Sequence, residues 1–132
     1  MRTIYWAILL DEKSKAQLLS KFPPIHTKIF TEHCTIAFRP DRDVDEFLME
    51  MIGRTVDLRV VGYAEDQSGQ AVVVESDIKR MDDSVAHITI SCADGIKPVY
   101  SNKLIRKYSA VKEHIVLSGC LARYTINGWV KE

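Results

Sequence analysis

The sequence has little of what secreted and membrane proteins are built from. Its three cysteines are an odd number without a C-x-x-C pair, which argues against a disulfide framework and favours a reducing compartment. No apolar run approaches the roughly 18 residues that cross a bilayer, and the opening MRTIYWAILLDEK becomes charged too early for a signal peptide. We therefore expect a cytoplasmic protein that does not enter a membrane.

An excess of positive charge is also absent. The chain has 18 Lys and Arg residues against 18 Asp and Glu residues, so its net charge is zero. Proteins that hold long nucleic acids through many phosphates usually carry a basic excess. A local basic stretch, KLIRKYSAVK at 103–112, is sufficient for one or two phosphates. The composition is therefore more compatible with a small nucleotide or an RNA end as ligand than with a long duplex, and we expect a monomer.

The pattern of apolar residues predicts an α+β fold. The 132 residues are enough for one domain, 1–132, with its own core. Short runs rich in β-branched and aromatic residues predict strands, and i, i+3, i+4 spacing predicts helices. The expected strands lie in 3–10, 31–40, 55–66, 70–77, 84–92 and 113–130, and the last of them is either continuous or broken near Gly119. The expected helices lie in 11–22, in 41–53 with Asp43 as its cap, and within 97–109, where a short helix begins near Ser101 or Asn102.

Two of these strands contain the same polar pattern, His-x-Thr. It occurs as His33 and Thr35 in EHCTIAF, and as His87 and Thr89 in AHITISC. Side chains alternate across a strand, so each motif places an imidazole and a hydroxyl on one face and apolar residues on the other. A single His-x-Thr is weak, because threonine favours strands and a strand histidine is often a core residue. Two copies in matching strands favour a shared site.

This set of side chains is suited to acid–base catalysis on a phosphoester. With a pKa near 6.5, one histidine can accept a proton while the other, protonated, donates one to the departing oxygen. The two threonine hydroxyls can donate hydrogen bonds to the phosphate oxygens. We expect neither a metal nor another cofactor. The rival metal site would need Cys34 or Cys92, but both are predicted on the faces opposite His33 and His87.

The two tetrapeptides HCTI and HITI resemble the motifs of the 2H phosphoesterase superfamily. The opening MRTIYWAILL is similar to the first strand of its bacterial RNA-ligase-like branch, and HITISCADGIKPVYSNKLI is nearest to the cyclic phosphodiesterase domain of fungal tRNA ligases and to phage-type relatives. The resemblance implies a small bilobal fold in which two pseudo-symmetric halves each contribute a His-x-Thr strand to a central cleft.

The same resemblance implies a metal-independent phosphodiesterase that opens 2′,3′-cyclic phosphates of RNA ends or nucleotides. His33 and His87 would be the catalytic pair, Thr35 and Thr89 would bind phosphate, and Tyr5 would border the base or ribose. Lys97, which follows the second motif strand, is a further candidate for phosphate contact. Two alternatives stay open: cleavage of cyclic oligonucleotide or dinucleotide signals, as in phage-type anti-defence enzymes, and a non-catalytic nucleotide-binding module.

Overall fold

Nine strands and three helices make up residues 2–132, the part of the chain that the computed structural model describes. In chain order they are β1 (Thr3–Leu10), α1 (Glu12–Lys21), β2 (Lys28–Ile29), β3 (His33–Phe38), α2 (Arg42–Met49), β4 (Thr55–Glu65), β5 (Gly69–Ser76), β6 (His87–Cys92), α3 (Ser101–Leu104), β7 (Ser109–Ala110), β8 (Val116–Thr125) and β9 (Gly128–Val130). A 3₁₀ turn, Pro98–Tyr100, precedes α3. The predicted α+β class is confirmed.

Six of the strands close into a single antiparallel barrel. Their order around it is β4, β5, β6, β3, β1 and β8, and the pairing of β4 with β8 completes the ring. The two motif strands, β3 and β6, are direct neighbours in this ring. The expected arrangement of two halves with a cleft between them is not what this topology shows, because the β4–β8 pairing joins all six strands into one continuous sheet.

One face of each ring strand is turned into the core. Cys34 and Ile36 of β3 are fully buried, as are Ile88 and Ile90 of β6. They pack with inward residues of the other strands, among them Ile8, Leu58, Val60, Val72, Leu117 and Leu121. Because side chains alternate across a strand, the His and Thr residues between these apolar positions face the outer surface of the barrel. The predicted division of faces is confirmed for 33–36 and 87–90. It is wrong at the end of β3, where Ala37 is buried in the core and Phe38, which strict alternation places beside Cys34 and Ile36, is 60% exposed; the ladder to β1 shifts register there.

The first two helices begin at aspartate caps. The Asp11 carboxylate accepts a hydrogen bond from the backbone N–H of Ser14 at 2.7 Å. Asp41 caps α2 in the same way, accepting from the N–H of Val44 at 2.9 Å. Asp43, the cap expected from the sequence, lies inside the first turn instead. Asp41 takes this role because its backbone is extended (φ −72°, ψ 174°), as an N-cap requires.

The C-terminal elements agree with expectation in part. β8 runs through Gly119 without a break, because the missing side chain leaves room for the carbonyl oxygen of Leu9 in β1; a Cβ there would collide with it. The short helix predicted within 97–109 begins at Ser101, as expected, and consists of the four residues of α3, which follow the 3₁₀ turn. No helix in residues 2–132 is long and apolar enough to cross a membrane.

Candidate active site

The two His-x-Thr segments lie side by side on the outer face of the sheet. Cys34, the middle residue of the first segment, pairs with Ile88, the middle residue of the second. In an antiparallel ladder this register sets each histidine opposite the threonine of the other segment: His33 opposite Thr89, and His87 opposite Thr35. Opposed residues have Cβ atoms roughly 4.5–5.5 Å apart. Two imidazoles and two hydroxyls therefore form one compact group.

A cavity of about 400 Å³ contains this group. Five of the six residues predicted from the sequence line it: Tyr5, His33, Thr35, His87 and Thr89. Much of the remaining wall consists of residues that were not assigned to a site from the sequence, among them Phe30, Glu32, Phe38, Arg80, Val99 and Asn102. The strand face predicted to be catalytic thus borders a partly open cavity large enough for a nucleotide-sized group.

Lys97 is the predicted residue that the fold leaves outside the cavity wall. It is exposed and immediately precedes the 3₁₀ turn. The two residues that follow it, Pro98 and Val99, do line the cavity. The turn therefore approaches the site with its apolar residues, while the lysine side chain is not part of the lining.

His33 lies in an aromatic environment. Its ring centroid is 5.6 Å from that of Tyr5 and 5.8 Å from that of Trp129. Burial lowers the pKa of His33, and the neighbouring Glu32 carboxylate opposes this shift. Its buried Nδ1 has no hydrogen-bond partner within residues 2–132. An unpaired buried polar atom costs about 1–3 kcal/mol.

His87 lies in a more polar environment and is buried, with 9% of its surface exposed. Burial and, second, the charge of Arg80 lower its pKa to about 4. Its Nδ1 lies 3.5 Å from the carbonyl oxygen of Val85. With the proton on Nδ1 donated to this carbonyl, Nε2 is the nitrogen with a free lone pair. His87 is therefore held as a neutral imidazole around pH 7.

The two threonines also differ in their partners. The Thr89 hydroxyl lies 2.8 Å from that of Ser101 in α3 and donates to the carbonyl of Pro98 at 3.4 Å. Within residues 2–132, no hydrogen bond engages the Thr35 hydroxyl. Ser101, expected only at a helix start, thus holds one of the two predicted phosphate-binding groups. Thr35 is the threonine whose donor is available.

Arg80 is the principal residue that the sequence did not indicate. It lies between β5 and β6 in a segment, SDIKRMDDS, that is typical of a solvated loop. A backbone hydrogen bond from the N–H of Met81 to the carbonyl of Ile36 (2.8 Å) attaches this loop to β3. The side chain of Arg80 is 11% exposed and forms an ion pair with Asp82, N···O 3.1 Å. No local pattern distinguishes such an arginine from a surface one.

The cysteines take no part in this group. Cys34 and Cys92 are buried in the core, on the strand faces opposite the histidines. Burial raises the pKa of the Cys34 thiol to about 12. No group of three or more His, Cys, Asp or Glu side chains in residues 2–132 is arranged to hold a metal ion.

Among known proteins, a likeness is found at the level of the fold. No protein-family model matches the chain, and no curated protein matches its sequence. A solved structure described as a fungal RNA kinase is similar, with a TM-score of 0.57 and 16% sequence identity. The match covers 91% of this chain and 42% of the RNA kinase chain, so this chain spans less than half the length of the kinase chain. At this identity the likeness shows a shared fold.

Proposed function

We propose that this protein is a metal-independent phosphodiesterase of the 2H type, which opens 2′,3′-cyclic phosphates of RNA ends or nucleotides. The observation that carries the proposal is the antiparallel register of β3 and β6, in which Cys34 pairs with Ile88. Residues 54 positions apart in the chain are thereby combined in one cavity as two histidines and two threonines.

In the proposed reaction a water molecule attacks the phosphorus of the cyclic phosphate. One histidine accepts the proton of the water, the bond from phosphorus to one ribose oxygen breaks, and the other histidine donates a proton to that oxygen. Thr35 donates a hydrogen bond to a non-bridging oxygen, where negative charge accumulates in the transition state. Thr89 does the same once its hydroxyl has turned from the carbonyl of Pro98 to the phosphate. Water is thus added across the phosphorus–oxygen bond, and solvent exchange restores both histidines. These side chains alone provide both proton transfers.

Two features support a nucleotide as the substrate. Phe38, which is 60% exposed, lines the cavity and presents an aromatic ring on which a base can stack. Tyr5 lines the same cavity beside His33, in the position proposed for contact with the ribose or base. The structural neighbour is described as an RNA kinase, which is consistent with an RNA end as substrate. Lys97, outside the wall, is not included in the proposed set.

A panel assay in the presence of EDTA tests the proposal. The purified protein is offered RNA with a 2′,3′-cyclic phosphate end, 2′,3′-cyclic mononucleotides and cyclic oligonucleotides, and the products are separated by chromatography. We expect ring opening of the 2′,3′-cyclic phosphates that survives chelation. The His33→Ala, His87→Ala double variant, purified in parallel, is the control for contaminating enzymes.

Other outcomes of the panel would contradict the proposal. Turnover confined to cyclic oligonucleotides would favour a signal-degrading enzyme. Binding without turnover would favour a nucleotide-binding module. Activity abolished by EDTA and restored by zinc or manganese would rule out the mechanism that uses only these side chains.

A further inference from the structure

Arg80 is the only Lys or Arg among the described residues that line the cavity with the two histidines. It is far less exposed than a typical surface arginine: its side chain is 11% exposed, against 53% for Arg59 and 89% for Arg42. Removing a cation from water is costly unless anions or hydrogen-bond acceptors surround it. The fold therefore holds one desolvated positive charge at the site.

Two neighbours hold the guanidinium by two of its three nitrogens. Nε forms the ion pair with Asp82, and Nη1 donates to the amide oxygen of Asn102 at 3.3 Å. Within residues 2–132, Nη2 has no hydrogen-bond partner. A guanidinium fork recognises phosphate oxygens through such donors, and its hydrogen bonds to charged oxygens are among the stronger ones in proteins. An oriented arginine in a cavity wall, with both N–H groups of Nη2 unengaged by the described residues, is suited to a phosphate.

The position of Arg80 also distinguishes the two histidines. The charged and titratable groups that act on His87 are Arg80 and Asp82 from the preceding loop and His33 from β3. Those around His33 are Glu32 on its own segment, Tyr5 from β1 and His87 from β6. The cation is next to His87 and the carboxylate of Glu32 is next to His33. The former favours a neutral imidazole at His87, and the latter opposes the lowering of the His33 pKa by burial.

We propose that Arg80 is a further substrate-binding residue of this site, which contacts the reacting phosphate and makes His87 the base and His33 the acid. This inference rests on the proposed phosphodiesterase function. His87 Nε2 takes the proton from the attacking water as the new phosphorus–oxygen bond forms. The ribose oxygen leaves with the electron pair of the broken bond and receives its proton from His33. The negative charge of the bound phosphate raises the proton affinity of His33 and so supplies the protonated acid.

Two substitutions separate the charge of Arg80 from its shape. Arg80→Met removes the charge at similar length, and we expect kcat/KM to fall about 10- to 100-fold, the range for a lost hydrogen bond to a charged group. The acidic limb of the pH profile should move to higher pH, because His87 loses a cation that lowers its pKa. Arg80→Lys keeps the charge, so that limb should stay in place while KM rises. A merely structural role would not separate the two variants in this way.

Arg59→Met is the matched control. Arg59 is an exposed arginine that forms an ion pair with Glu75 (N···O 2.6 Å) and does not line this cavity. The Arg59→Met substitution should leave kcat/KM and the pH profile unchanged. If Arg80→Met retains wild-type kcat/KM, or if Arg80→Met and Arg80→Lys give the same pH profile, the inference is overturned.

A second measurement does not need turnover. NMR titration of the histidine ring protons should give a higher pKa for His87 in Arg80→Met than in the wild type or in Arg80→Lys. Calorimetry with a nucleoside 2′-monophosphate or 3′-monophosphate should show about 10-fold weaker binding to Arg80→Met. If both effects are present but no cyclic phosphate is opened, the proposed function fails and the role of Arg80 in binding remains. If turnover is present but neither effect is, only the inference about Arg80 fails.

Discussion

The two His-x-Thr segments have the same residues and different surroundings. His33 lies among aromatic rings, beside Tyr5 and Trp129. His87 lies beside the charge of Arg80 and close to a backbone carbonyl oxygen. The strand register relates the two segments symmetrically, while the loops and the helix that cover them do not. An acid and a base need different environments, and here the covering elements provide the difference that the strands lack.

The threonines follow the same division. The Thr89 hydroxyl is held by Ser101 and by the carbonyl of Pro98, whereas Thr35 lines the cavity without such a partner among the described residues. The second segment is therefore more constrained and the first is more available to a ligand. The following four predictions test this difference between the segments, from the largest expected effect to the smallest.

Loss of either histidine should have the largest effect. His33→Ala and His87→Ala should each lower kcat on a 2′,3′-cyclic phosphate by about 10²- to 10⁴-fold, the scale of a lost general acid or base. His114→Ala, at an exposed position outside the cavity, is the control. If one of the two site variants keeps near wild-type turnover, that histidine has no part in the chemistry, and only the other segment contributes a catalytic histidine.

The inward faces of the two strands should, in contrast, behave alike. Ile36→Ala and Ile90→Ala should each lower the free energy of unfolding by about 2–5 kcal/mol, because both side chains are fully buried and leave cavities. Chemical denaturation measures this cost. The activity of the folded fraction should be nearly unchanged. A variant that loses activity without losing stability would show that our separation of core face and site face is incorrect.

Acidification should destabilise the protein through His87. Its pKa is about 4 in the folded state and near 6.5 when unfolded. Between these values the unfolded chain binds a proton that the folded chain does not, so stability falls as the pH drops from about 6.5 to about 4. The full loss is about 3 kcal/mol. Urea denaturation at pH 7 and pH 4.5 measures the free energy of unfolding at each pH. We expect this free energy to fall less between the two pH values in His87→Gln than in the wild type, and equal falls would contradict the lowered pKa of His87.

The smallest expected effect distinguishes the threonines. Thr35→Val should lower kcat by roughly 10- to 10³-fold, the range around one lost transition-state donor. Thr89→Val should reduce kcat by a factor about ten times smaller than Thr35→Val does, because the Thr89 hydroxyl is already engaged. It should also lower the free energy of unfolding by about 1 kcal/mol, because the hydrogen bond to Ser101 is lost. Parallel kinetics and thermal denaturation test both. Equal rate losses with unchanged stability would contradict the difference between the segments.

Much of the local structure could be predicted from the sequence. The six ring strands, the first two helices and the inward positions Cys34, Ile36, Ile88 and Ile90 follow from periodicities of two and of about 3.6 residues, which depend on neighbours along the chain. The two-residue strands β2 and β7 were not predicted. The cap of α2 was predicted wrongly, because Asp41 rather than Asp43 has the extended backbone of an N-cap. Of the two alternatives for 113–130, the strand that continues through Gly119 is the one formed, because β1 packs closely there.

The sequence by itself determined which reactive groups are present and which strand face carries them. It did not determine that β3 and β6 are neighbours, that the β4–β8 pairing closes one barrel, or that Arg80 is placed beside His87 while Lys97 is left outside. These outcomes come from contacts between segments far apart in the chain. A sequence periodicity predicts which face of a strand is buried. Only the pairing of the strands and the path of the covering loops decide which side chains lie together at the site.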